Sequence, residues 1–190
     1  MIRNIFISLI LVVGLSSCVP AAIVLGATVG GAVVYDKRSV KTMTQDQMAG
    51  EKAGAAIADS PDLQKGAHIA IATFDHVLLL VGQTETDQQR DTAYQIASKA
   101  PYISRVYNEI TVEKPTTSWQ RSRDAWITTK IKTKMLARPG LHSTQIKVVT
   151  ENSVVYLMGV LSNRQAEMAV DIARRIEGVS KVVKVFENPQ

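Results

Sequence analysis

The feature that most constrains the fold is an internal repeat. Val77-Leu78-Leu79-Leu80-Val81-Gly82 and Val154-Val155-Tyr156-Leu157-Met158-Gly159 are one apolar segment written twice, 77 residues apart. The match extends both ways. Upstream, Ile69-Ala70-Ile71 answers Ile146-Lys147-Val148 and Pro61-Asp62-Leu63 answers Pro139-Gly140-Leu141; downstream, Gln95-Ile96-Ala97 answers Asp171-Ile172-Ala173 and Ile103-Ser104-Arg105-Val106 answers Val179-Ser180-Lys181-Val182. A chain that repeats itself at a fixed period builds one supersecondary unit more than once, so the fold to be explained is a single unit used twice.

Periodicity supplies the elements of that unit. A helix comes first, over 44–59 and 123–138, and ends at Ser60-Pro61 and Arg138-Pro139, because the residue before a proline is pushed out of the helical region. Two Val- and Ile-rich strands follow in each copy. Residues 67–73 and 77–83 join at Asp75-His76, and 145–150 and 154–160 join around Glu151-Asn152-Ser153, both short enough for a hairpin. Thr86-Asp87-Gln88-Gln89 and Ser162-Asn163-Arg164-Gln165 have capping-box spacing and open a second helix. In the second copy, Ala166, Ala169, Val170, Ala173 and Ile176 trace one apolar face of that helix. A last strand, 104–112 or 180–186, closes the unit. The expected class is α+β: two αββαβ domains, each a three-stranded mixed sheet with two helices, the second helix crossing over to the last strand. Each unit is near the lower limit for an independent core, which favours packing of the two copies on one another.

The remaining composition excludes several classes. Of 190 residues, 46% are hydrophobic, enough for real cores, and 22 Lys and Arg against 17 Asp and Glu give a mild, dispersed +5, so no nucleic-acid partner is expected. There is one cysteine, Cys18, which excludes an intramolecular disulfide or a thiolate-built zinc site. His68, His76 and His142 lack ligand spacing and read as surface residues, so no metal is expected. No Gly-x-Ser-x-Gly, His-Glu-x-x-His or Walker motif occurs, and Gly26, Gly30 and Gly31 lack both the preceding strand and the following lysine of a phosphate loop. Neither an enzyme nor a cofactor is expected.

The amino-terminal segment carries an address. Arg3 precedes an apolar run from Ile5 to Leu15, long enough for a secretory signal and too short to span a bilayer. It ends in Leu15-Ser16-Ser17-Cys18, which is similar to the lipobox of bacterial lipoproteins. The resemblance implies cleavage after residue 17 and covalent lipid on Cys18; several acyl chains, at about 0.8 kcal/mol per buried CH₂, would anchor the protein permanently. Val19, in place of an aspartate, implies sorting to the outer membrane with the globular part in the periplasm. The expected layout is a signal peptide at 1–17, a lipidated segment at 18–43, domains at 44–113 and 123–190, and a linker at 114–122.

The paired units, each with an apolar strand ending in glycine and a Val-rich closing strand, resemble BON domains, small periplasmic modules proposed to associate with phospholipid membranes. The whole layout is similar to that of dual-BON outer-membrane lipoproteins, most specifically in Trp126-Ile127-Thr128-Thr129-Lys130 and Tyr156-Leu157-Met158-Gly159. That resemblance implies binding of anionic phospholipid by the second domain, support of outer-membrane integrity, enrichment at the division site, and no catalysis.

The first helix of the second copy carries the candidate site. With Arg123 at zero and about 100° per residue, Ile127, Ile131 and Met135 fall near 40°, 80° and 120° and form the core stripe, while Trp126 falls near 300°, beside Lys130, Arg123 and Lys134. An indole among cations on an outer helical face has the composition of an interfacial membrane contact. The equivalent first-copy positions, Met48, Lys52, Gly54 and Ala56, keep one of the charges. The candidate lipid-contacting set is Arg123, Trp126, Ile127, Lys130, Thr133 and Lys134. Two other readings remain open at this point: Trp126 packs against the other domain or Trp119, or the helices serve as an adaptor surface for envelope and cell-wall proteins.

Overall fold

The computed structural model describes residues 38–187. The expected signal peptide, the expected lipidation at Cys18 and most of the 18–43 segment lie outside the described residues. The first copy runs α1 (Val40–Ala58), β1 (Ala67–Phe74), β2 (Val77–Thr84), α2 (Asp87–Ala97) and β3 (Arg105–Val112). The second runs α3 (Ser118–Leu136), β4 (Lys147–Glu151), β5 (Val154–Val160), α4 (Asn163–Arg174) and β6 (Lys181–Glu187). This is the expected αββαβ order, twice. In each three-stranded sheet the middle strand pairs antiparallel with the first and parallel with the last.

Both first helices begin earlier than their apolar periodicity indicates. Ser39 caps α1 by accepting from the Thr42 N–H at 3.0 Å, and Thr117 caps α3 by accepting from the Gln120 N–H at 3.2 Å. Val40–Met43 and Ser118–Ser122, expected in connecting chain, are therefore helical; these first turns lie largely on the outer side and lack the apolar stripe that announces the rest. The capping expectation also divides between copies. Thr86 accepts from the Gln89 N–H at 3.2 Å, as expected of a cap, but Ser162 makes no side-chain cap bond. Its partner Gln165 is engaged elsewhere, accepting from the His142 N–H at 3.0 Å and donating to the Gly140 carbonyl at 2.6 Å. In both copies the amide pins the preceding loop, since Gln89 likewise donates to the Asp62 and Lys65 carbonyls at 2.9 and 2.8 Å; the copies differ in the hydroxyl, which caps the helix in the first alone.

Each sheet buries both faces. On one side of the first sheet, Ala53 and Ile57 of α1 and Ala93 and Ala97 of α2 pack on Leu78, Leu80 and Ile110. In the second copy, Ile127, Ile131 and Met135 of α3 and Ala169 and Ala173 of α4 pack on Val148, Val155 and Leu157. The other faces meet: Ala72, Phe74, Val77, Leu79 and Val81 form one cluster with Tyr156, Met158 and Val185. The layers run helix, sheet, sheet, helix, and the unbroken apolar runs of β2 and β5 exist because neither face of these strands meets water. At about 1.5–3 kcal/mol for each buried large apolar side chain, this seam outweighs the polar contacts along its rim, worth about 1 kcal/mol apiece.

Those rim contacts fix orientation. Gln83 donates to a Glu151 carboxylate oxygen at 3.0 Å and accepts from the Thr116 N–H at 3.1 Å, Lys147 Nζ donates to the Thr73 carbonyl at 3.1 Å, and Arg105 pairs with Glu187 at 2.7 Å. Burial, then the nearby Arg38 charge, holds the Lys147 ammonium below its ordinary pKa. Burial, with Glu109 and Glu151 adding to it, pushes the Tyr156 phenol up to about 12. Burial at the seam is the leading cause of both shifts.

Candidate lipid-binding surface

The position of α3 is set from below and from one end. Ile127, Ile131 and Met135 are wholly buried and fix which face points outward. Ile127 is 0% exposed, so it cannot touch a ligand at this surface; its place in the candidate set is corrected to that of a core residue that orients its neighbours. Between Ile127 and the N-terminus lies Asp124, 3% exposed and missed by the reading of the sequence as a functional position. Its carboxylate accepts from the Asn152 N–H at 2.8 Å, the Ser153 N–H at 2.9 Å and Gln120 Nε2 at 3.0 Å. Asn152 and Ser153 both have positive φ, 47° and 64°, forming a two-residue hairpin turn whose N–H groups point at α3. The first copy repeats the device: Asp46 accepts from the N–H groups of Asp75 (2.7 Å) and His76 (2.8 Å), again a positive-φ pair. One buried acid therefore ties each first helix to its hairpin.

The outward face carries the remaining candidates. Trp126 is 47% exposed, with Lys130 Nζ 5.1 Å from the centre of its ring, which excludes burial of this indole against the other domain. Seven residues earlier, Trp119 is 69% exposed and carries the Arg123 guanidinium 5.8 Å from its ring centre. Arg123 also lies against Gly178, where an added Cβ would come within 3.2 Å of the guanidinium; this glycine has φ +90°, a conformation L residues rarely adopt. Lys134 is exposed near the end of α3. Thr133 is exposed too, but its hydroxyl donates to the Thr129 carbonyl at 2.9 Å, so it contributes a small neutral surface more than a free donor.

Charge is distributed one-sidedly. Five cations lie on α3 (Arg121, Arg123, Lys130, Lys132 and Lys134), and its one acid, Asp124, is buried facing the hairpin. Arg121 is turned back onto the Thr116 carbonyl and the Ser118 hydroxyl. Among the described residues, Arg123, Lys130 and Lys134 have no acidic partner. The surface thus offers uncompensated cations beside two amphipathic rings, a combination suited to phosphate groups at an apolar boundary. Among the described residues no group of three acidic, histidine or cysteine side chains could hold a metal ion, and no helix is long and apolar enough to cross a membrane.

Residues 45–114 and 123–187 each match the BON domain. The chain belongs to the BON-domain family and contains two copies of the domain, which accounts for the repeat, the two mixed sheets and their shared element order. Among related proteins it is 34% identical to Outer membrane lipoprotein DolP of Haemophilus influenzae, over 91% of this chain and 89% of that one. It is 36% identical to a 21 kDa hemolysin of Actinobacillus pleuropneumoniae, over 82% and 80% of the two chains. Among solved structures, the type III secretion protein CdsD of Chlamydia trachomatis aligns with 76% of this chain at 14% identity and a TM-score of 0.30; this chain spans 63% of it.

Proposed function

We propose that this chain is a non-enzymatic lipoprotein, acylated at Cys18 and held at the outer membrane with its domains in the periplasm, whose second BON domain docks on anionic phospholipid through the outer face of α3 and so supports membrane integrity. It requires no cofactor beyond the lipid on Cys18. The observation that carries the docking assignment is the exposed Trp126 under Lys130, flanked by uncompensated Arg123 and Lys134. The anchor rests on the Leu15–Cys18 motif and on similarity to a relative named as an outer-membrane lipoprotein.

Each Lys or Arg near an anionic surface contributes about 1 kcal/mol of attraction, decaying over about 8–10 Å at moderate salt. Trp126→Glu removes the interfacial ring and adds a repelling charge, so it abolishes binding of an unlipidated 36–190 fragment to phosphatidylglycerol vesicles while leaving the fold intact. Lys130→Glu with Lys134→Glu weakens binding, as does added salt. NMR titration of the fragment with anionic against zwitterionic lipid checks this. Shifts confined to the first domain, or wild-type binding by Trp126→Glu, would replace lipid docking with the adaptor reading. The anchor is checked separately by intact mass: the mature protein carries acyl groups at residue 18, and Cys18→Ala leaves an unprocessed precursor.

A further inference from the structure

The outer face of α3 holds two aromatic–cation pairs, not one. Trp119 and Arg123 stand four residues apart, as do Trp126 and Lys130, and in each pair the cation lies over the ring. On the helical wheel used above, Trp119 falls near 320° and Trp126 near 300°, so the two indoles share a stripe and are separated by about 10 Å along the axis. The flanking positions, Arg123, Lys130 and Lys134, fill about 340° to 20° on one side of that stripe, and its one acid, Asp124, is buried beneath it. Trp119 is 69% exposed although it is among the largest side chains in the protein. An indole left this open, on the same line as a second one and beneath its own cation, has no role in the core.

We propose that Trp119 with Arg123 is a second membrane anchor, so that α3 lies along an anionic bilayer with both indoles at headgroup depth instead of touching it at one point. This rests on the docking assignment above and adds a residue and an orientation to it. The partner is a phosphate-bearing lipid surface. A flat bilayer presents phosphates above an apolar layer along the whole helix length, matching cations and rings that alternate over more than two turns. The equivalent positions on α1, Lys41, Gln45, Met48 and Lys52, carry no aromatic residue, so the surface is confined to the second copy.

The chain contains two tryptophans, so Trp119→Phe and Trp126→Phe each leave a single fluorescent reporter. Both variants are made in the full-length lipidated protein and reconstituted in phosphatidylglycerol vesicles containing brominated phosphatidylcholine, where the anchor holds the chain at the bilayer regardless of docking strength. Quenching of Trp119 and Trp126 to similar depth, and loss of quenching at both in purely zwitterionic vesicles, is the expected result. Trp119→Ala in the unlipidated chain should also reduce vesicle affinity on the order of tenfold. Quenched Trp126 with unquenched Trp119 overturns the second anchor and leaves the docking assignment standing. Quenched Trp119 with unquenched Trp126 overturns the paired geometry, and quenching of neither removes the docking assignment itself.

Discussion

Gly82→Val is expected to prevent the first sheet from forming, whereas Gly159→Val should lower stability by about 1–3 kcal/mol. The two glycines occupy the same place in the repeat, at the end of the middle strand, and the difference lies in their surroundings. A Cβ on Gly82 would stand 1.9 Å from the His68 carbonyl oxygen of the paired strand, and its φ of +127° is one that side chains rarely adopt. Backbone on both sides must then move, at a cost above about 4 kcal/mol, comparable to the whole stability of a small domain. A Cβ on Gly159 would stand 2.5 Å from the Gln145 carbonyl oxygen, again backbone, at the end of a short 3-10 turn before β4, but the overlap is smaller than at Gly82 and Gly159 has no positive φ to add to it. Urea unfolding followed by circular dichroism separates them. A native-like midpoint for Gly82→Val would mean that β1 and β2 tolerate a register unlike the one described.

Asp124→Ala is expected to cost about 3 kcal/mol or more. Hydrogen bonds to a charged acceptor contribute about 1.5–3 kcal/mol each, and here two backbone N–H groups of a positive-φ turn lose their acceptor together. Asp124→Asn keeps one acceptor oxygen and should recover part of the loss. Asp46→Ala should behave alike, because Asp75 and His76 make the same turn. Thermal unfolding of the three variants is the check, and an unchanged midpoint for Asp124→Ala would show that the hairpin turn is stable without its helix.

Much of this was legible in the chain because the repeat supplies each signal twice. The hairpins, the crossover helices and the buried stripe of Ile127, Ile131 and Met135 follow from periodicity and turn chemistry. Three features did not. Trp119 lies in the first turn of α3, beyond the reach of an apolar stripe that begins with Ile127, so the chain from Pro115 reads as linker; the cap at Thr117 was the available signal. Ser162 matches a capping pattern yet makes no cap bond, and the glutamine three residues on is held in both copies by the preceding loop, Gln89 by Asp62 and Lys65 and Gln165 by Gly140, contacts between distant segments that a local pattern does not show. Asp124 falls near 100° on the wheel, within the core stripe, and Asp46 sits at the corresponding place in the first copy. An acid at a core position in both copies has to be satisfied by buried donors, but which donors only the folded chain shows.

The sheet-on-sheet seam makes this protein an intramolecular homodimer. Val77, Leu79 and Val81 of one copy and Val154, Tyr156 and Met158 of the other are corresponding residues, so equivalent surfaces meet, as in an isologous interface. Residues 113–117 join the end of β3 to the start of α3, and a tether this short holds the two surfaces at an effective concentration in the millimolar range. Neither copy is then free to unfold alone without exposing its partner's apolar face. A lesion such as Gly82→Val therefore propagates across the seam and loosens the sheet beneath α3, far from the residue that was changed.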